Sequence, residues 1–170
     1  MRPFRCQICG ETYLGFFPPD RCPFCGVPGN YLLSAPEYIE YGVVELSEQS
    51  KDFCRQAMET ETSNVAYYLA VAAASSNQVV GAIFKRIAKH ESEHLSLIFK
   101  MCGLEKPPLP EEKPLESDAE NMAAGHARED RAIKLYTGFA REAPEGRMKE
   151  VFRALADIEK EHYKLYNIYR

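Results

Sequence analysis

The sequence lacks any long apolar run: no segment approaches the roughly 20 consecutive apolar residues that a membrane-spanning helix requires. It also lacks a strong charge of one sign, because 21 Lys and Arg residues face 25 Asp and Glu residues and give a net charge of −4. That balance disfavours partners such as nucleic acid or an anionic membrane. The first residues, MRPFRCQICG, lack the apolar segment and cleavage pattern of a secretory leader, so we expect a cytoplasmic, reducing environment.

The 170 residues fall into two regions of different character. Residues 1–35 are rich in Pro and Gly, contain four of the six cysteines and show no sustained helical or strand period. A segment this short needs a metal or disulfides to stay folded. We therefore predict a small metal-binding module over 1–35, a linker over 36–46 and a helical domain over 47–170.

The second region has the apolar periodicity of four long helices, at approximately 48–75, 79–102, 118–142 and 146–169. Ser47 is the expected N-cap of the first helix, Gly103 follows the second, and Ser117 with Glu120 forms a capping box for the third. Short turns at 75–77 and 143–146 predict two antiparallel hairpins. The segment 105–116 between them contains four prolines, so we expect an extended crossover, and the fold class is a mainly α four-helix bundle.

An internal duplication relates the two hairpins at an offset of 68 residues, without a gap. Residues paired in this way include Glu61 with Glu129, Tyr68 with Tyr136, Glu91 with Glu159, Glu93 with Glu161 and His94 with His162. Glu61 and Glu91 lie equally far from the first turn, and Glu129 and Glu159 from the second. Each hairpin therefore presents a Glu and a Glu-x-x-His pair at one height.

Six such side chains predict a site for two metal ions, and a ligand set rich in oxygen and poor in nitrogen suits Fe or Mn. Glu61 is preferred over Glu59, because Glu59 would pair with Ala127 in the repeat. We interpret Tyr68 and Tyr136 as hydrogen-bond donors beside this site, with core tyrosines as the alternative. His126 either reaches the site or is a core or partly exposed histidine.

Other polar and sulfur-containing residues are expected outside the metal site. Glu93 and Glu161 point away from the preceding ligands on their helices and should be solvated. His90 should be exposed, and Cys54 and Cys102 should be buried thiols.

The remaining cysteines form two C-x-x-C pairs separated by twelve residues: Cys6 with Cys9, and Cys22 with Cys25. Four thiolates in this spacing make a tetrahedral site for Zn or Fe, and the metal would supply folding energy that the short segment lacks. A pair of disulfides is the alternative, which a reducing environment disfavours. Ligand identity alone leaves structural Zn and redox-active Fe both open.

These motifs resemble the rubrerythrin family over nearly the whole chain. CQICGETY and CPFCG are similar to the two knuckles of rubredoxin, while AMETE, KHESEHLSLIF and FRALADIEKEH are similar to the rubrerythrin ligand helices. The resemblance implies a mononuclear Fe(Cys)4 centre and a di-iron centre in a ferritin-like bundle, with Zn or Mn substitution possible. The cysteine module comes first here, as in the subgroup called reverse rubrerythrins.

The resemblance further implies an oxidative-stress peroxidase that reduces hydrogen peroxide to water. Electrons would enter at the cysteine module from rubredoxin or an NAD(P)H-dependent reductase, and we expect a homodimer. One departure from the family pattern is that Ala132 stands where a second carboxylate is usual on the third helix, unless His126 or Asp130 substitutes for it. The alternatives are a ferroxidase of iron homeostasis and a zinc-ribbon binding module on a metal-stabilised bundle.

Overall fold

The computed structural model describes residues 1–41 and 44–168, the side chain of residue 168 excepted, and consists of a small β-sheet module followed by a four-helix bundle. Its elements in chain order are β1 (Arg2–Cys6), β2 (Thr12–Gly15), β3 (Leu32–Ser34), α1 (Glu48–Ala74), α2 (Gln78–Cys102), α3 (Asp118–Glu142) and α4 (Gly146–Ile168). Two short 3-10 turns, Gly29–Tyr31 and Ala35–Glu37, flank β3. None of the helices within the described ranges combines the length and the apolar character needed to cross a membrane.

The module is an antiparallel three-stranded sheet with the order β2-β1-β3, in which Phe4 pairs with Tyr13 on one side and with Ser34 on the other. The two cysteine knuckles follow the same local design. Gly10 N–H donates to the Cys6 carbonyl at 2.9 Å, and Gly26 N–H donates to the Cys22 carbonyl at 2.9 Å. Both glycines have positive φ, 80° and 82°, which other residues adopt only at a cost.

The helix ends agree closely with the caps that the sequence predicts. The Ser47 side chain accepts from Ser50 N–H at 3.2 Å, Ser117 and Glu120 form the capping box, and Gly103 ends α2 with φ 62°. The crossover at 105–116 contains no helix or strand, as its prolines require. The predicted end of the fourth helix at residue 169 lies outside the described residues, as do residues 42 and 43 of the predicted linker.

The two hairpins, α1 with α2 and α3 with α4, pack side by side through α1 and α3. Buried apolar residues form two clusters. The larger one runs from the module, for example Ile8 and Val27, into the bundle at Phe53 and Phe152. The smaller one surrounds Phe84 at the other end of the bundle. The fold of a mainly α, ferritin-like four-helix bundle preceded by a cysteine module is therefore confirmed.

Cys54 and Cys102 form a disulfide between α1 and α2, so the prediction of two free thiols is wrong. Cys54 lies 22 residues before Ser76 and Cys102 lies 26 residues after it, so the antiparallel hairpin brings them to within about one helical turn of the same height. Disulfides are uncommon in reducing compartments, so this bond does not support a cytoplasmic location. That location stays a prediction.

The turn between α3 and α4 also caps the start of α1. Glu145 accepts from Ser47 N–H at 2.6 Å and from the Ser50 hydroxyl. Burial would raise the pKa of the Glu145 carboxyl, but the hydrogen bonds from the Ser47 backbone and the Ser50 hydroxyl together outweigh it and hold this pKa below its usual value. The carboxylate therefore joins the two hairpins at the end of the bundle where the chain enters it.

We predict that Glu145→Ala lowers the free energy of unfolding by about 1–3 kcal/mol at pH 7, because two hydrogen bonds to a carboxylate are lost. Urea denaturation followed by circular dichroism measures this loss. Since the folded-state pKa is depressed, the difference from wild type should be present above the ordinary Glu pKa and should shrink as pH falls through the folded-state value. Glu142→Ala, at the last residue of α3 and paired with its neighbour Arg141, is the control. A loss as large in that control would contradict the assignment.

Candidate metal sites

The six predicted bundle ligands lie together in the centre of the bundle. Two groups have ligand atoms within 4.8 Å of one another: one consists of Glu61, Glu91, His94 and Glu159, and the other of Glu91, Glu129, Glu159 and His162. Glu91 and Glu159 belong to both groups, whereas each remaining residue belongs to one. The arrangement therefore has two shared carboxylates and two terminal Glu-His sets.

The two shared carboxylates lie between the two imidazoles. Glu91 places Oε2 3.0 Å from His94 Nδ1 and Oε1 3.1 Å from His162 Nδ1. Glu159 places Oε1 3.2 Å from His94 Nδ1 and Oε2 2.9 Å from His162 Nδ1. Each carboxylate thus offers one oxygen to each half of the site, which is the geometry of a bridging ligand.

The terminal carboxylates are held by tyrosines from the opposite hairpin. Tyr68 of α1 donates to Glu129 Oε1 at 2.7 Å, and Tyr136 of α3 donates to Glu61 Oε1. Both tyrosines are fully buried. The sequence placed each tyrosine two turns after a carboxylate of its own helix, but its hydroxyl reaches the carboxylate of the other hairpin.

The electrostatics of these groups favour a bound cation. Burial, with repulsion from Glu91 second, raises the pKa of Glu61 and that of Glu129 well above the usual Glu range. Burial would lower the pKa of His94, but the carboxylates of Glu159, Glu61 and Glu91 outweigh it and raise this pKa well above its usual value. Metal cations would neutralise these carboxylates in place of protons.

The hydrogen bonding of the carboxylates leads to the same conclusion. Within residues 1–41 and 44–168, one oxygen of each terminal carboxylate, Glu61 Oε2 and Glu129 Oε2, is buried without a hydrogen-bond partner, whereas Glu91 Oε1 and Glu159 Oε1 face only an imidazole Nδ1. Buried carboxylate oxygens without partners are strongly unfavourable unless a cation is present. The donor set therefore fits two divalent ions of the Fe or Mn type.

Neither His126 nor Asp130 replaces the second α3 carboxylate. His126 lies with its ring 3.8 Å from that of Tyr163, and Asp130 forms an ion pair with Lys134 at 2.6 Å. Neither residue belongs to a metal-ligand group among the described residues. Ala132, fully buried at the position of that carboxylate, contributes only a methyl group.

The four predicted cysteine ligands also converge. Cys6 Sγ lies 3.9 Å from Cys25 Sγ, and Cys9 Sγ lies 3.9 Å from Cys22 Sγ. Sulfurs that bind one tetrahedral ion at about 2.3 Å are about 3.8 Å apart, so the four thiols fit a single metal. Their mutual hydrogen bonds raise the pKa of Cys25 and lower that of Cys22, as expected where four thiols need a cation to ionise together.

The cysteine module packs against the same bundle, beside its carboxylate site. His94 Nε2 is hydrogen-bonded to the carbonyl oxygen of Cys25 at 2.9 Å, while Nδ1 of the same ring faces the carboxylates. Arg147 donates to the carbonyls of Gln7 and Ile8 at 2.5 and 3.2 Å and so fixes the first knuckle on α4. One side chain, His94, therefore contacts both candidate metal sites.

His90 is half-buried, so the expectation that it would be exposed is wrong. Its Nδ1 lies 3.1 Å from His162 Nε2, and a Cβ added at Gly26 would lie 3.3 Å from His90 Nδ1. Burial, followed by repulsion from His162, lowers the pKa of His90 to about 3, so the ring is neutral at pH 7. The repeat gave no signal, because His90 pairs with Ile158.

Two further residues lie near the site: Glu161, which was expected to be solvated, and Tyr166, which the sequence did not reveal. Glu161 is partly exposed and bonds to Lys164 at 2.8 Å, with Arg21 of the module 3.6 Å away, which is broadly as expected. Tyr166 is fully buried, with its ring 6.3 Å from that of Tyr68. It lies seven residues after Glu159, the spacing of the other two tyrosines, but its repeat partner is Ile98 and the duplication therefore missed it.

Comparison with known proteins agrees with this geometry. The bundle matches the family model described as Rubrerythrin over residues 52–167, and the module matches the model described as Rubrerythrin, rubredoxin-like domain over residues 4–32. A relative, Reverse rubrerythrin-1 from Clostridium acetobutylicum, is 28% identical over 114 residues. That alignment covers 61% of this chain and 63% of the relative, so the chain spans somewhat under two thirds of the relative's length.

A solved structure, a hypothetical protein from Pyrococcus furiosus, shares the fold with a TM-score of 0.61 and 20% sequence identity. The match covers 70% of this chain and 86% of that one. Members of the matched family are generally oxidoreductases, and the four-cysteine and Glu/His sites of this chain both fit iron binding. With the module first and the bundle second, the chain belongs to the rubrerythrin family and has the reverse domain order.

Proposed function

We propose that the protein is a non-haem di-iron peroxidase that reduces hydrogen peroxide to water, using electrons delivered through the cysteine module. The observation that supports this most strongly is the hydrogen bond between His94 Nε2 and the Cys25 carbonyl, because it links the two candidate metal sites through one side chain. A protein that only stores iron has no need of such a link. A zinc ribbon that only binds partners has no need of it either.

The metal ligands in this proposal are the residues that the structure groups. Cys6, Cys9, Cys22 and Cys25 would hold one iron, and Glu61, Glu91, His94, Glu129, Glu159 and His162 would hold two. When bound, the iron pair supplies two electrons, so that one hydrogen peroxide and two protons give two waters. Tyr68 and Tyr136 orient the terminal carboxylates and leave one oxygen of each for the metals.

The surroundings of the bundle site keep its ligands away from water. All four carboxylates and His94 are fully buried, and apolar clusters lie on both sides of them along the bundle. Such a setting strengthens electrostatic interactions and limits the access of water. Protein ligands held by partners from neighbouring helices move little, which keeps the two terminal sets at a fixed spacing.

Electron entry is proposed at the first knuckle. Cys9 is less buried than the other three cysteines and lines a cavity of about 390 Å³ between the module and the bundle. Arg5 and Lys100 also line it. A rubredoxin or an NAD(P)H-dependent reductase with an acidic surface would fit there. A homodimer is a separate part of the proposal.

The function is tested with iron-loaded protein that has been reduced without oxygen and mixed with hydrogen peroxide. The visible spectrum of the cysteine centre should report its oxidation, with one peroxide consumed for two electrons. Glu129→Gln should leave that centre reduced, because the terminal carboxylate at the bundle site is lost. A wild-type centre that stays reduced in peroxide would refute the proposal. Many turnovers of added Fe(II) with mineral formation would instead indicate a ferroxidase, and a colourless zinc-only protein a binding module.

The metal assignment is tested by comparing Glu159→Gln with Glu161→Gln. Glu159 contributes to both ligand groups, so its loss should weaken metal binding by at least about tenfold and reduce bundle metal below two ions per chain. Metal analysis after equilibrium dialysis measures both. Glu161 lies two residues further on and is partly exposed, so Glu161→Gln should retain the wild-type metal content. Equal metal loss in both variants would contradict the assignment.

A further inference from the structure

A cavity of about 290 Å³ lies between α1 and α3, near the height of the terminal carboxylates Glu61 and Glu129. Its lining consists of Thr60, Ser63, Asn64, Arg128, Arg131 and Leu135. The cysteine module contacts α2 and α4, through residues such as His94 and Arg147. The cavity therefore opens on a side of the bundle that the module leaves accessible.

Asn64 is the buried polar residue of this cavity, with 3% of its surface exposed. Its Oδ1 accepts from Arg128 Nη1 at 3.2 Å. A guanidinium has donors only, so the amide must present its oxygen to Arg128 and its amino group in the other direction. Within the described ranges 1–41 and 44–168, that amino group, Nδ2, is buried and has no hydrogen-bond partner. A buried donor of this kind needs an acceptor from outside the protein atoms, either water or a small ligand.

Arg128 holds the amide in this orientation. Nη1 also donates to Ser63 Oγ at 2.8 Å, Nη2 lies 3.3 Å from Glu112 Oε2, and the guanidinium covers the Tyr67 ring at 4.3 Å. The ion pair with Glu112 balances the charge of Arg128. Arg131 also lines the cavity but is exposed, so the charge beside the buried Asn64 is balanced and the inner part of the cavity suits a small polar molecule without charge.

Asn64 and Ala132 occupy equivalent positions in the duplication, three residues after Glu61 and Glu129 respectively. Residues three apart on a helix share a face, so both side chains lie close to the terminal carboxylates. Both are buried. Ala132 contributes only a methyl group. Of the two residues, Asn64 is therefore the one that supplies a polar group between the cavity and the carboxylates.

We infer that this cavity is the entry site for hydrogen peroxide, and that Asn64 Nδ2 donates a hydrogen bond to the peroxide as it approaches the carboxylate site. The ligand class is a small, uncharged hydroperoxide whose oxygen accepts from the amide. This inference rests on the proposed peroxidase function. It assigns to Asn64 a role in substrate binding and leaves the metal ligands unchanged.

The role of Asn64 is tested with Asn64→Leu, which keeps the approximate volume, and Asn64→Asp, which keeps an acceptor for Arg128 but removes the donor. Both variants should raise the KM for hydrogen peroxide about tenfold, as expected for one lost hydrogen bond, while kcat stays within about twofold. Metal content should equal that of wild type. An unchanged KM in both variants, or a fall in kcat accompanied by metal loss, would overturn the assignment.

The entry route is tested with Leu135→Trp, which fills the cavity, and Thr137→Trp, which adds the same bulk to the groove between α3 and α4. In the reduced iron-loaded protein, the rate of nitric oxide binding reports access to the bundle site without turnover. Leu135→Trp should slow it at least about tenfold, and Thr137→Trp should not. Equal rates in the two variants would overturn the route. Because this readout needs no peroxidase activity, failure of the proposed function is distinguishable from failure of the route.

Discussion

The structure depends on four carboxylates and two imidazoles placed in the middle of an apolar bundle. Such groups are destabilising unless their charges are compensated, and repulsion from Glu91 adds to burial in raising the pKa values of Glu61 and Glu129. Apolar packing on both sides of this layer must therefore stabilise the bundle enough to hold the carboxylates together. A pair of divalent cations removes the repulsion, so metal binding and bundle stability are coupled.

The sequence was sufficient to predict the six-residue site because helix geometry fixes height and direction. Short turns require antiparallel hairpins, and a gapless repeat places Glu61 with Glu129 and His94 with His162 in equivalent positions. The caps at Ser47 and Gly103 were predictable for the same reason, since they depend on residues close in sequence.

Contacts between units were not predictable in this way. His90 is half-buried because the second knuckle packs over it, and the disulfide of Cys54 with Cys102 depends on the detailed alignment of α1 and α2. The crossed bonds of the tyrosines belong to the same class: spacing along a helix placed Tyr68 near the site, but the packing of α1 on α3 determines that it reaches Glu129. The repeat also concealed Tyr166, whose equivalent is Ile98.

The two hairpins carry equivalent metal-ligand residues but differ in the residues around them. The faces of the site are therefore not equivalent. On α2 and α4 both imidazoles turn Nδ1 toward the carboxylates and Nε2 toward other partners, and His94 Nε2 reaches the module directly. On α1 and α3 the equivalent positions carry Asn64 and Ala132, which differ in size and polarity. In the proposed function the module on α2 and α4 delivers electrons, which leaves the faces of α1 and α3 for the substrate. Under that proposal, separate faces for electrons and substrate would allow the module to stay in contact with His94 while small molecules enter and leave.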